Sequence, residues 1–375
     1  MEIKTRHWDL SVATEADNDE ICRLFRDVHV SGELDVNQER EPDFFALSRL
    51  HHGTAHTFVI RDDKGVVSGL GTAISRPAWL DGERITAGYL CDLRIRPRFR
   101  GGVTLAKHMT PVLQWVREQT GVEVFNTVVF DENEIARKVL RGPSAKKRGQ
   151  PIYNVMTPFR MTSVQFTRRR RGPRGRVEKA TTDDVTELAD FLAEKGKNRV
   201  LGEDFTGDLL QRRLRDWPNF GIDRFYVARN AHDRIIGCLA PWDTRAVKRT
   251  RVLGYNGKML WIKRAFNAGS PLLRYPPLPE AGNCFDFAFL THLEVEDDDP
   301  VVFKDLLRAA YTDLRPTGLH FMSALVPRGS RLEGAFGGFM VQHTAMNLYA
   351  VPVPGGAFED REWGTRHPGF EISLS

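Results

Sequence analysis

Apolar and polar positions along this chain fall into two blocks with the same order of periods. In the first, residues 8–13 read as a strand. A helix is expected at 17–28, where Ile21, Leu24, Phe25 and Val28 recur at i, i+3, i+4 and i+7. A short helix is expected at 42–50, with Pro42 in the first turn, where its missing N–H costs nothing. Strands at 57–61 and 66–74 flank the turn Asp62-Asp63-Lys64-Gly65. A longer strand covers 85–95. The next helix, 102–119, puts Leu105, Met109, Val112, Leu113 and Val116 on one face and carries Pro111 inside it. A strand at 122–129, a short helix at 133–140 and a late strand at 153–159 complete the block.

The second block repeats this order. Strands are expected at 177–181, 225–229, 234–241, 285–295, 319–326 and 340–350, and helices at 183–194, 205–217, 302–314 and 330–336. Letters recur as well as periods. Phe58-Val59-Ile60-Arg61 and the turn after it return loosely as Tyr226-Val227-Ala228-Arg229, and Leu93-Arg94-Ile95 returns as Leu293-Glu294-Val295. A repeat this long is a duplicated domain rather than a solenoid unit. The boundaries expected are 1–166, an arginine-rich linker at 167–176, a second domain at 177–353 and a tail at 354–375. Residues 256–283 fit neither copy and read as an insertion or long loop. The mixed order of strands and helices implies an α+β sandwich, with helices on a mostly antiparallel sheet.

Composition adds limits. A chain of 375 residues with 41% hydrophobic and 27% charged residues is ordinary for a globular protein of two domains. No run approaches the roughly 18 apolar residues of a membrane span, and the N-terminus shows no secretory h-region. Cys22, Cys91, Cys238 and Cys284 lie far apart, without a CxxC pair, so a reducing cytoplasm is expected. The net charge of +5 gathers in Arg168, Arg169, Arg170, Arg171, Arg174 and Arg176. With no aromatic or helical partner in view, this run reads as a solvated linker, and nucleic-acid binding through phosphates is the competing reading. His51, His52 and His56 have no carboxylate or Cys spaced to complete a metal site, so no metal is expected.

The chemistry concentrates in residues 89–106. A hydrophobic strand ends at Pro97, a basic turn with Gly101 and Gly102 follows, and an amphipathic helix starts at once. Glycines let backbone N–H groups approach an anion, and a helix N-terminus adds orphan donors and a positive dipole. Together these make a phosphate cradle. Arg94, Arg96, Arg98 and Arg100 raise the local positive charge. The run Leu93-Arg94-Ile95-Arg96-Pro97-Arg98-Phe99-Arg100-Gly101-Gly102-Val103-Thr104 resembles the acyl-CoA loop of the GNAT acetyltransferase superfamily. One residue is missing between the glycines, and Thr104 stands where Gly or Ala is usual. Asn133-Glu134-Ile135-Ala136-Arg137 is similar to the family's Asn-x-x-Ala helix.

The resemblance implies two consecutive GNAT-like α/β/α sandwich domains, each α+β with a mixed, mostly antiparallel sheet. It implies acetyl-CoA, or another acyl-CoA, as co-substrate, and acyl transfer to an amine on a small molecule or peptide. The cofactor-binding residues it implies are Leu93, Arg94, Ile95, Arg100, Gly101, Gly102, Val103, Thr104, Asn133 and Arg137. The base is left open between Asp92 and a water relayed to Glu41, Asp43 or Glu83. Strand alternation puts Asp92 on one face and Cys91 and Leu93 on the other. Leu140 stands where the family's acidic Tyr is usual, which leaves Tyr153, Tyr89 or solvent to protonate the thiolate. The second copy reads Leu293-Glu294-Val295-Glu296-Asp297-Asp298-Asp299-Pro300, with no glycine and five acids, and is expected not to bind CoA. A homodimer is compatible with an exposed second-domain sheet. The competing function is a non-catalytic acyl-CoA sensor.

Overall fold

The structure is a computed structural model that describes residues 1–4, 8–29, 32–99, 103–133, 150–363 and 367–375. The expected helix at 133–140 lies outside the described residues from its second position on. In chain order the strands are β1 (Glu2–Lys4), β2 (Trp8–Val12), β3 (Leu34–Glu39), β4 (Thr54–Asp62), β5 (Val67–Leu80), β6 (Glu83–Ile95), β7 (Val124–Phe130), β8 (Asn154–Gln165), β9 (Val177–Lys179), β10 (Gly202–Glu203), β11 (Tyr226–Arg229), β12 (Ile235–Trp242), β13 (Arg249–Tyr255), β14 (Cys284–Phe285), β15 (Phe287–Val295), β16 (Phe321–Pro327) and β17 (Val341–Pro352). The helices are α1 (Asn18–Asp27), α2 (Ala46–Arg49), α3 (Val103–Thr120), α4 (Val185–Lys197), α5 (Leu209–Asp216), α6 (Gly257–Leu273) and α7 (Pro300–Leu314).

One sheet runs through both halves in the order β1-β2-β4-β5-β6-β7-β17-β8-β16-β15-β12-β11-β9. The duplication is therefore physical, with β4-β5-β6-β7 mirrored by β11-β12-β15-β16. At the centre the halves exchange their last strands. β8, from the first half, pairs with β16, while β17, from the second, pairs with β7. The two exchanged strands also pair with each other. Their side chains follow them: Val351 and Val353 join the first-half core under α3, and Val164 and Phe166 join the second-half core under α7.

Each half covers both sheet faces. In the first, Val112, Leu113 and Val116 of α3 pack on one face with Leu10, Phe58 and Phe125. On the other, Ile21, Leu24 and Phe25 of α1 meet Phe44, Val59 and Leu70. The i, i+3, i+4 spacing of α1 is what turns these residues to one side. In the second half α7 takes the first role, and α4 and α5 the second.

Several expectations need correction. The helix expected at 42–50 is a single turn, α2. A strand that the polar letters of Asp35, Asn37 and Gln38 hide, β3, pairs with β13, more than 200 residues away. With β14 these form a second, three-stranded sheet. The segment read as an insertion or loop contains α6, which buries Met259 and Phe266 and leaves Trp261 and Ile262 exposed. In the tail, Ile372, Ser373 and Leu374 are buried in the interior. No described helix is long and apolar enough to cross a membrane.

Candidate active site

β6 and β7 run parallel, but only for three pairs, Ala87–Val124, Gly88–Phe125 and Tyr89–Asn126. Beyond them the strands part. The Thr127 hydroxyl donates to the Leu90 carbonyl at 2.9 Å, at the crotch of the fork. Just past the fork β6 bulges. Its register against β5 jumps from Leu70–Arg94 to Thr72–Cys91, so Asp92 and Leu93 together oppose Gly71. Asp92 takes a left-handed φ of 57°, and Leu93 is 59% exposed. A bulge withdraws backbone N–H groups from the ladder and aims them elsewhere. The bulge lies next to the point where β6 and β7 part.

The bulge also corrects the expected alternation. Cys91 and Asp92 lie on a common side, with the Cys91 thiol 3.6 Å from Asp92 Oδ2. Asp92 Oδ1 accepts from Arg40 Nη2 at 2.9 Å, and Arg40 is nearly fully buried. Arg40 Nε and Nη1 are buried without a hydrogen-bond partner. Beside this pair stands Lys248, also buried, whose Nζ donates to the main-chain oxygens of Ser373 at 3.1 Å and Ser375 at 2.5 Å. Burial, then the neighbouring Arg40, bring the Lys248 ammonium down to about 7, against the opposing pull of Asp92 and Glu371. Arg40 follows β3 and Lys248 precedes β13, so the long-range β3–β13 pairing delivers both. No local letter pattern marks either, and the sequence reading missed them.

Other expected site residues fall as follows. Tyr153 lies on the α3 face of the sheet with Leu90 and Trp115, and its ring is 6.4 Å from that of Tyr349, the β17 neighbour of Thr127. It is thus on the far side of the fork from Asp92, and burial pushes its hydroxyl up to about 12. Tyr89 stacks on His51 and meets Phe370 in the interior. Glu41 is held by Arg26 and Asp43 by Arg49. Asn133 closes the turn after β7, its N–H donating to Phe130.

Three arginine side chains of the loop make local contacts. Arg94 turns inward, donating to the Val28 carbonyl with its guanidinium 4.1 Å from the centre of the Phe25 ring. Arg96 pairs with Asp27 and Arg98 with Asp62. These three are spent on α1 and β4. Arg100, Gly101, Gly102 and Arg137 lie outside the described residues. Of Val103 and Thr104 only the backbone is described, as the first turn of α3. That turn carries no acid.

The second half keeps the same fork and bulge and closes them. β15 and β16 are parallel for three pairs, and the register shifts opposite His292, which has φ 50°. There the His292 N–H donates to Glu371 Oε2 at 3.1 Å. Glu371 belongs to the tail, which runs into the cleft and lines it with Phe370 and Ile372. Arg199 bridges Glu294 and Asp298 across the entrance. Asp299 caps α7 by accepting from the Val301 N–H at 2.8 Å. His292 itself is buried, bonded to Arg213 and ringed by Phe205, Trp217, Phe220 and Phe225. Burial holds it well below the usual imidazole range.

A forked parallel pair, a bulge before the fork's open end and a loop leading into a helix make up the first-half cleft, and several solved structures resemble the fold that carries it. A GCN5-related N-acetyltransferase from Sphaerobacter thermophilus aligns over 98% of this chain and 98% of its own, with a TM-score of 0.52 at 11% identity. Saccharomyces cerevisiae N-myristoyltransferase with bound myristoyl-CoA and inhibitors aligns over 93% of this chain and 81% of its own, with a TM-score of 0.60 at 10% identity. A GCN5-related glucosamine N-acetyltransferase region of a fungal multi-domain β-N-acetylglucosaminidase aligns over 93% of this chain and 38% of its own, with a TM-score of 0.59 at 13% identity. No family model matches the sequence, and no curated protein matches it. The chain has the GNAT fold.

Proposed function

We propose that this protein transfers an acyl group from acyl-CoA to an amine, in the cleft of its first half. The observation that carries the reading is the contrast between the two copies. Both have the fork and bulge, but among the described residues it is the second-half bulge whose N–H, that of His292, is held by the tail, on Glu371. The first-half loop is basic and glycine-bearing, the second-half loop acidic. The structural neighbours labelled as N-acyl- and N-acetyltransferases, some with myristoyl-CoA bound, support the same class.

In this reading the backbone N–H groups of Asp92 and Leu93 stabilise the oxyanion as the amine attacks the thioester carbonyl. Lys248 takes the amine's proton, the C–S bond breaks, and Tyr153 supplies the proton for the CoA thiolate. Asp92 and Arg40 hold one another and position the bulge rather than shuttle protons. The test is release of free CoA thiol from acetyl-CoA and myristoyl-CoA across a panel of small-molecule and peptide amines. Amine-dependent release is expected with at least one pair. In the active pair Tyr153→Phe should lower kcat about tenfold and leave KM for acyl-CoA unchanged, since a thiolate can also draw a proton from solvent. CoA binding without release under any pair would instead support the sensor reading.

A further inference from the structure

The arginine run at 168–171 does not behave as a free arm. The Tyr311 hydroxyl donates to the Arg168 carbonyl at 2.9 Å and accepts from the Thr167 N–H at 3.0 Å. Gly175 N–H donates to Asp305 Oδ2 at 2.8 Å. The linker is therefore strapped along α7. Where it crosses that helix, Arg170 and Arg171 meet Lys304 and Arg308, which share a helix face at i, i+4. The turn Gly337–Phe339, just before β17, closes the third side. Together these residues line a cavity of about 180 Å³.

We propose that this cavity binds a small anion carrying two or more phosphate charges. Four cations converge on it, and among the described residues none of Arg170, Arg171 and Lys304 has an ion-pair partner. Arg308 alone is matched, by Asp305 at 3.1 Å. The Arg170 guanidinium lies 5.4 Å from the centre of the Phe339 ring, and its Nε is buried without a hydrogen-bond partner. The concentration of uncompensated positive charge in a concave site is costly unless an anion fills it. Arginine forks beside a lysine suit phosphate oxygens. Gly337 and Gly338 border these cations at ordinary contact distance. A Cβ on Gly337 would stand 3.7 Å from the Lys304 ammonium, and one on Gly338 3.9 Å from Arg170 Nη1. Gly338 also has a φ of 91°, which a side chain would strain. A small ligand fits better than a nucleic-acid strand, because Arg170 points into the cavity and Arg176 is committed to Glu178 and Asp233. A bound phosphate group would tie the linker, α7 and the start of the exchanged strand β17 together.

The test is isothermal titration of sodium pyrophosphate into the full-length chain, with a parallel titration of a single-stranded RNA. Wild type should bind pyrophosphate, and Lys304→Glu should weaken binding about tenfold or more. Arg171→Ala alters an exposed residue and guards against misfolding; it should weaken binding as well. Arg100→Glu, in the acyl-CoA loop, separates this site from that one: the loss caused by Lys304→Glu should persist in its background. Loss on Arg100→Glu but not on Lys304→Glu would place the anion in the other site and overturn the proposal. So would RNA binding without pyrophosphate binding, or no binding of either.

Discussion

Arg213→Met should lower the free energy of unfolding by about 3–5 kcal/mol at pH 7. Arg213 is fully buried at the centre of the second half. Its Nη2 meets Glu203 Oε1 at 2.5 Å, its Nη1 bonds His292 Nε2 at 3.0 Å, and its guanidinium stacks over Trp217 and Phe205. Methionine keeps the packing volume but strands the Glu203 carboxylate, whose remaining cation is Arg76 at 3.8 Å. Removing one partner of a buried pair costs far more than the pair is worth, because the other charge stays desolvated. The pH dependence distinguishes this cause from poor packing. Burial pushes Glu203 up, but Arg213 and Arg76 outweigh it and hold it at about 2. A carboxylate depressed in the folded state contributes stability above its unfolded value and loses it as pH falls through the folded one. The gap between wild type and variant should therefore close between about pH 4.5 and 2. Glu203→Gln added to Arg213→Met should recover part of the loss. Urea melts across that range check both, and a loss under about 1 kcal/mol at pH 7 would show that the pair is not a buried one.

Lys248→Met should reduce kcat by about 10²–10⁴, the usual span for loss of a general base. Wild-type activity should rise on an acid limb near pH 7, because only the neutral amine accepts a proton and the group sits at about 7. The variant should lack that limb. A readout independent of catalysis is also available. The folded lysine is depressed from 10.5, so between about pH 7 and 10.5 the unfolded chain binds the extra proton and wild-type stability rises with pH. Lys248→Met should lack that rise across the window. An unchanged acid limb in the variant would assign the base elsewhere.

The parts of this architecture that were legible from letters are those set by local periodicity. The α1 stripe, the hairpin around Asp62–Gly65, the long β6 strand and the acidic second loop all carry their own signal. The strand exchange carries none, since β8 and β17 read as ordinary closing strands and only the partners differ. β3 was hidden by Asp35, Asn37 and Gln38, and its partner β13 is distant in the chain, so Arg40 and Lys248 could not be placed beside Asp92. α6 was obscured because Trp261 and Ile262 are exposed, breaking the one-faced stripe, and because Pro271 sits within it. The faces of Cys91 and Asp92 were misread because a period of two cannot anticipate a bulge. Gly71, opposite the bulge, was the available hint.

The central claim is that one copy of the fold, the first, takes acyl-CoA. The direct measurement is isothermal titration of acetyl-CoA into wild type and into a variant combining Arg100→Glu with Gly102→Asp, which puts acids where the phosphates would sit. One equivalent bound per wild-type chain, and none by a variant that keeps the wild-type melting temperature, is the predicted result. Two equivalents, or undiminished binding by the variant, would contradict it.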